Sequence, residues 1–243
     1  MTTDVSKSPE RISGMFDAIA GRYDLLNHVL SGGIDKYWRT RAIRSLALTG
    51  RERVLDLCTG TGDLAIAAVR ARPAAARVVG VDFSGAMLRV GFDKLRSSRL
   101  DDRVTMVRGD AARVPLASAS VDAVTIGFGI RNVERMDVAC ADLLRVLKPG
   151  GRLAILEFAE PQVPVFGAIY RWYIGHVLPR IGRALSGNAI AYAYLPASIA
   201  AFATPDEFVK ILRQAGFSEI SPIRLALGSV ILYTARKGLD SNH

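Results

Sequence analysis

Cysteine is scarce in this chain, with Cys58 and Cys140 the only two in 243 residues. They stand far apart and without metal-ligand spacing, which suits a reducing compartment and gives no reason to expect a bound metal. An apolar signal core is missing from the opening "MTTDVSKSPERISG", so a cytoplasmic protein is expected. Residues 184–205 carry no charge, yet Gly187, Asn188, Pro196 and the serines interrupt them, and alanine is only mildly apolar, which argues against a membrane-spanning helix. Acidic residues are in deficit: 23 Asp and Glu stand against 32 Lys and Arg, a formal charge of +9. That excess suits nucleic acid or an anionic membrane face, and net charge does not choose between them. There is no separate nucleic-acid module and no lysine-rich arm, so no specific nucleic-acid partner is expected. Half the chain is apolar, enough for one globular domain with a real core.

From residue 50 onward, runs rich in Val and Ile alternate with longer helical segments, the mark of a parallel α/β sheet. "RVLDLCTG", "RVVGVDFS", "RVTMVRGDA", "VDAVTIGFG" and "RLAILEFAEP" supply five strands. A helix is expected from about Asp63, another over "GAMLRVGFDKLRSS", and a third over "ERMDVACADLLRVL". The third would put Val138, Ala141, Leu144 and Val146 or Leu147 near one face, with "KPGG" as its stop. "TPDEFVKILRQAGF" reads as a helix capped by Thr204 and stopped at Gly216. Two strands separated near Gly228 follow, so one strand should run antiparallel to the rest.

Ligands on such sheets bind beyond the carboxyl ends of the strands. The first strand ends in "DLCTGTGD", where Asp56 precedes a turn whose Gly60 and Gly62 let backbone approach a ligand. Taken alone, this fits a bare turn, a dinucleotide site or a site for another adenosine-bearing cofactor. Asp82 lies 20 residues beyond Gly62, and its carboxylate can accept from both hydroxyls of a ribose. After the third strand, Asp110 and the N–H of Ala111 add positions suited to an adenine.

Together these features resemble class I S-adenosylmethionine-dependent methyltransferases: Asp56, the "GTG" turn, Asp82, Asp110-Ala111, "LKPGG" and the terminal hairpin. A narrower resemblance rests on "MFDAIAGRYDLLNHVLSGGIDKYWR", "FGIRNV", "LKPGGRLAILEF", "HVLPRIG" and "YAYLPASIAAF". Over about residues 10 to 238 the chain is similar to the ubiquinone/menaquinone biosynthesis C-methyltransferase family. The resemblance implies a Rossmann-like α/β fold with a seven-stranded, mostly parallel sheet, a terminal antiparallel strand and helices on both faces. It implies S-adenosylmethionine as cofactor and methylation of a ring carbon of a polyprenylated quinol, for menaquinone, ubiquinone or both. Thr61, Asp82, Asp110, Ala111 and Gly127 match the family's cofactor-contacting positions, beside Asp56, Gly60 and Gly62 of the glycine turn. Gly127 is a departure, since serine is frequent there; the lost hydroxyl removes one hydrogen bond, on the order of 1 kcal/mol.

The same resemblance assigns substrate activation to Arg131 and Asn132, just past the fourth strand. Arginine stays protonated and is no proton acceptor, so Arg131 is expected to orient a water or steady a developing phenolate, with Asn132 fixing that water or the ring oxygen. The bland alternative is a helix cap or an ion pair with Glu134. Residues 1–48 are expected to form a helical cover over the cofactor site, with Phe16, Ile19, Tyr23 and Leu26 at helical spacing and Tyr23 reaching the cofactor's methionine end. Trp38 and Arg39 either border the cofactor or merely pack. Residues 49–238 make the methyltransferase domain, interrupted at about 159–203 by a segment too long for an ordinary loop. That insertion is expected to line an apolar tunnel, with an arginine rim of Arg171, Arg180 and Arg183 touching anionic lipid from the inner membrane face. His176, Tyr192 and Tyr194 are candidates to touch the ring. Homo-oligomerisation stays open, as do a non-catalytic cofactor-binding subunit and a methyltransferase for another lipophilic molecule. RNA methylation and a dehydrogenase are weaker competitors.

Overall fold

The computed structural model describes residues 8–71, 77–177, 180 and 189–239. Three amino-terminal helices, α1 (Pro9–Ile19), α2 (Tyr23–Leu30) and α3 (Asp35–Ser45), lead into β1 (Arg53–Leu57), α4 (Asp63–Ala71), β2 (Arg77–Asp82), α5 (Gly85–Ser97), β3 (Val104–Arg108) and β4 (Val121–Gly127). Next come α6 (Met136–Val146), β5 (Leu147–Phe158), α7 (Pro164–Trp172) with a π-helical turn at Tyr173–Val177, α8 (Ala189–Ala200), α9 (Pro205–Gln214), β6 (Phe217–Leu225) and β7 (Val230–Lys237).

The seven strands form one sheet in the order β3-β2-β1-β4-β5-β7-β6. β7 runs antiparallel to both of its neighbours, and the other pairings are parallel. The order reverses between β1 and β4, and a doubly wound sheet opens its binding crevice at such a point.

Central strands bury both faces, which is why they read as unbroken apolar runs. Leu55, Leu57, Val124, Ile126 and Ile155 pack on one side against α6 and against Phe208 and Leu212 of α9. Their neighbours Val54, Ala123, Ala154 and Leu156 face the other side, among residues of α3 and α4. Trp38, Ala42, Ile43, Leu46 and Leu48 belong to that second core. The helical cover proper is therefore α1 and α2, and α3 is part of the main layer.

Two expectations shift on packing grounds. In α6 the buried face is Ala139, Cys140, Leu143 and Val146, so of the stripe expected through Val138, Ala141, Leu144 and Val146 or Leu147 only its last members are buried. "KPGG" does not merely end α6, because β5 already begins at Leu147 and runs through it. The ending helix meets expectation: Thr204 and Glu207 form a reciprocal capping box on α9, and Gly216 follows with φ +103.

The cover is pinned by charge. Asp17 accepts from Ser84 Oγ and, at 3.2 Å, from the Ala86 amide at the start of α5. Asp24 accepts from Thr61 Oγ1 and pairs with Lys94 Nζ at 2.6 Å; Lys94 also reaches Asp63, and Asp63 pairs with Arg39. Among the described residues no helix is long and apolar enough to cross a membrane.

Candidate active site

A cavity of about 310 Å3 opens at the carboxyl ends of β1, β2, β3 and β4. Cys58 and Gly60, Asp82, Asp110 and Ala111, and Gly127 line it in that strand order, with Ile12, Phe16 and Tyr23 of the cover closing one side. Asp82 is fixed by its surroundings: Oδ1 accepts from the Ser84 amide and Oδ2 from the Gly60 amide, each at 2.8 Å. Burial pushes its pKa up, and those amide bonds oppose the shift. Asp110 Oδ1 accepts from the Ala112 amide at 2.9 Å, which holds the loop after β3 in place.

Three glycine-turn residues, Asp56, Thr61 and Gly62, do not line this cavity. Asp56 is buried, with Oδ1 bonded to Thr125 and Oδ2 to Thr59 and the Ala65 amide, so it braces the turn from behind. Burial pushes its carboxyl up to about 6, against those hydrogen bonds. Thr61 spends its hydroxyl on the Asp24–Lys94 network. Gly62, at φ +82, is closed in by Met106, whose Cε lies 2.5 Å from where a Cβ would stand. Asp56 and Thr61 border a small recess of about 40 Å3 next to the main cavity, with Tyr23, Cys58, Gly60, Gly127 and Phe128 common to both. Motif position gave their place at the strand end; side-chain direction was not readable from it.

A second cavity of about 270 Å3 lies under the cover. Nine aromatic rings line it: Phe16, Tyr23, Trp38, Phe128, Phe158, Phe166, Tyr170, Tyr173 and Tyr194. Phe16, Tyr23 and Phe128 border both cavities. Phe128 holds a left-handed backbone at φ +58, its ring 4.5 Å from Phe158 and 6.0 Å from Trp38. Side chains rarely tolerate that conformation unless the surroundings impose it.

Arg131 follows on a single 3₁₀ turn and is 5% exposed. It does not pair with Glu134. Its Nη1 meets Glu157 Oε1 at 2.8 Å and also donates to the Phe128 carbonyl; Nε donates to Ser198 Oγ of α8 at 3.2 Å. The guanidinium lies 5.5 Å over the Phe158 ring. Asn132 borders the first cavity, and its Oδ1 accepts from the Tyr194 hydroxyl at 3.1 Å. Arg131 and Tyr194 border the second.

Of the candidate ring contacts, Tyr194 lines the second cavity. His176 is exposed and lines neither cavity; its ring stacks on Trp172, with Nδ1 3.2 Å from the Trp172 carbonyl. The Tyr192 side chain and Arg183 lie outside the described residues. Glu157 went unforeseen, although a carboxylate within the apolar run "LAILEF" was the available signal. Among the described residues no group of His, Cys, Asp and Glu is placed to hold a metal ion.

The donor set of the first cavity fits S-adenosylmethionine. A carboxylate at the end of β2 matches a ribose diol, Gly60 leaves room for close approach, and the Asp110–Ala111 loop suits an adenine. The solved structure of a S-adenosylmethionine-dependent methyltransferase from Aquifex aeolicus has the same fold, with a TM-score of 0.63 at 17% identity over 84% of this chain and 91% of that one. Fold and site together define a class I S-adenosylmethionine-dependent methyltransferase.

The model of the ubiE/COQ5 methyltransferase family matches residues 3–237. The chain belongs to this family. It is 48% identical to the ubiquinone/menaquinone biosynthesis C-methyltransferase UbiE of Syntrophotalea carbinolica, over 94% of each chain. It is 42% identical to the demethylmenaquinone methyltransferase of Porphyromonas gingivalis, over 94% of this chain and 93% of that one.

Proposed function

We infer that the enzyme methylates a ring carbon of a polyprenylated quinol, with demethylmenaquinol as acceptor in menaquinone formation and a benzoquinol where ubiquinone is made. The observation that carries this reading is the ring-walled second cavity, which shares Phe16, Tyr23 and Phe128 with the cofactor cavity. A flat, apolar ring fits such walls, and the shared residues bring acceptor and cofactor into contact. When bound, S-adenosylmethionine supplies an electrophilic methyl group. The protein's part is to place the carbon in line and to make it nucleophilic.

A ring carbon gains electron density as its neighbouring hydroxyl ionises. Burial raises the pKa of Tyr23, Tyr170 and Tyr194; the Arg131 charge opposes that rise at all three, while Glu157 adds to it at Tyr170 and Tyr194. Stabilisation of a substrate phenolate therefore needs its oxygen to lie close to the Arg131 guanidinium. Glu157 fixes the guanidinium, so Arg131 acts by orientation and charge and takes no proton itself. Asn132, held at Oδ1 by Tyr194, keeps its amide N–H groups to donate to a ring oxygen. Tyr23, at the junction of both cavities, closes the site against water.

The prenyl tail needs an exit. Leu25, Val29, Ile34 and Tyr37 are exposed on and between α2 and α3, as are Val165 and Trp172 on α7. These elements also wall the second cavity. An apolar rim beside exposed Arg171 and Arg180 supports reversible contact with an anionic membrane surface. Salt-sensitive sedimentation with anionic vesicles tests it, and no sedimentation at low salt would refute it.

Methyl transfer from labelled S-adenosylmethionine to two short-chain quinols kept reduced in detergent tests the activity. Product from the naphthoquinol alone assigns menaquinone synthesis, and product from both assigns both pathways. No product from either, with cofactor bound, would favour a non-catalytic subunit or another lipophilic acceptor.

A further inference from the structure

One face of α8 meets the Arg131–Asn132 pair twice. Tyr194 and Ser198 stand four residues apart, so they project from the same side of the helix. The Tyr194 hydroxyl donates to Asn132 Oδ1 at 3.1 Å, and Ser198 Oγ accepts from Arg131 Nε at 3.2 Å. Both residues are buried, Ser198 completely. Each hydroxyl has the polarity that its bond requires. Burial raises the Tyr194 pKa, which keeps the phenol protonated as a donor. Ser198 gives its own proton to the Leu195 carbonyl at 2.9 Å, which leaves its lone pairs for the arginine. Leu195, between the two, packs on the cover beside Ile19 and Leu26.

These bonds remove the freedom that the pair would otherwise keep. Glu157 and the Phe128 carbonyl hold Arg131 at Nη1 alone. A planar guanidinium held at one corner can still swing, and a second anchor at Nε stops it. An unbound asparagine amide can turn over and present oxygen where nitrogen stood. A phenol donor at Oδ1 fixes which side donates.

We propose that Ser198 and Tyr194 are positioning residues for methyl transfer: α8, from the substrate-binding insertion, sets the orientation of Arg131 through one and of Asn132 through the other. This rests on the quinol reading above. The helix that borders the ring cavity thereby also aligns the two side chains that activate the ring.

Tyr194→Phe and Ser198→Ala each delete one oxygen atom, and the test makes them in the full chain. With a short-chain demethylmenaquinol kept reduced in detergent, each is expected to lower kcat roughly 10-fold. KM for the quinol and S-adenosylmethionine affinity should stay at their wild-type values. A merely structural tie would show the opposite split, a higher KM or a lower unfolding temperature with kcat intact. Isotopic labelling supplies a second readout. The Arg131 Nε–H NMR signal, assigned by its loss in Arg131→Lys, should move in Ser198→Ala and stay in place in Tyr194→Phe. The Asn132 side-chain amide signals, assigned by their loss in Asn132→Ala, should do the reverse.

Wild-type kcat in either variant, a loss carried by KM alone, or signals that stay in place in both variants would overturn the proposal. Any of these, with methyl transfer by the wild type, leaves the quinol reading standing. No transfer by the wild type to any quinol would sink that reading and the proposal with it.

Discussion

Arg131 Nη1 and Glu157 Oε1 stand 2.8 Å apart, with the carboxylate wholly enclosed. The main-chain amides of Arg131 and Phe158 also donate to that carboxylate. Removing one partner strands a charge where water cannot reach it. Glu157→Ala and Arg131→Ala should each cost about 3 to 5 kcal/mol in urea unfolding. Replacing both by apolar residues, Arg131→Met with Glu157→Leu, should recover most of that stability without recovering methyl transfer. Turnover restored in the double variant would reduce Arg131 to a structural role.

Asp82 holds the Gly60 and Ser84 amides as well as facing the cofactor cavity. Asp82→Ala removes charge-assisted bonds to a ribose, and calorimetry should show S-adenosylmethionine binding weaker by about 1.5 to 3 kcal/mol. Wild-type affinity in the variant would place the ribose elsewhere.

Gly127 is crowded on one side by Leu64. A Cβ there would sit 2.6 Å from Leu64 Cδ1, so Gly127→Ser forces that side chain to move. Thermal unfolding should register about 1 to 2 kcal/mol of lost stability. Leu64→Val removes the offending atom and should restore most of it.

Asp56 sets one slope of stability against pH. Its folded pKa of about 6 exceeds the ordinary 3.8 because burial disfavours the charge. The folded state therefore holds the proton more tightly. Its contribution is full below pH 3.8 and is lost as pH rises through about 6, in total about 3 kcal/mol. The difference in unfolding free energy between wild type and Asp56→Asn should decline across that window. A flat difference would show that Asp56 has the same pKa in the folded and unfolded chain.

The strands were legible because β1, β4 and β5 are buried on both faces and so read as apolar runs, and the terminal hairpin was legible from its break at Gly228. The face of α6 was misread. Asp137, Asp142 and Arg145 share the side of Val138 and Ala141, which leaves Ala139, Cys140, Leu143 and Val146 to face the core. Within the site, Asp82, Gly60 and the Asp110–Ala111 pair were readable because a strand end places its last residue in the crevice. Asp56 carries the same motif but sits within β1, where alternation turns it away from Leu55 and Leu57, and the Thr61 hydroxyl is engaged by Asp24 and Lys94. Pairings such as Arg131–Glu157 and Tyr194–Asn132 join segments that only the folded chain brings together.

Phe16, Tyr23 and Phe128 belong to two compartments at once, and two of them sit on helices of the cover. Filling one chamber settles a partition that the other also uses. Linkage then imposes a symmetry on the enzyme: whatever factor the nucleoside cofactor applies to the affinity for a ring, the ring returns to the nucleoside. Any such coupling runs through the shared wall itself, without a signal passing through the rest of the fold.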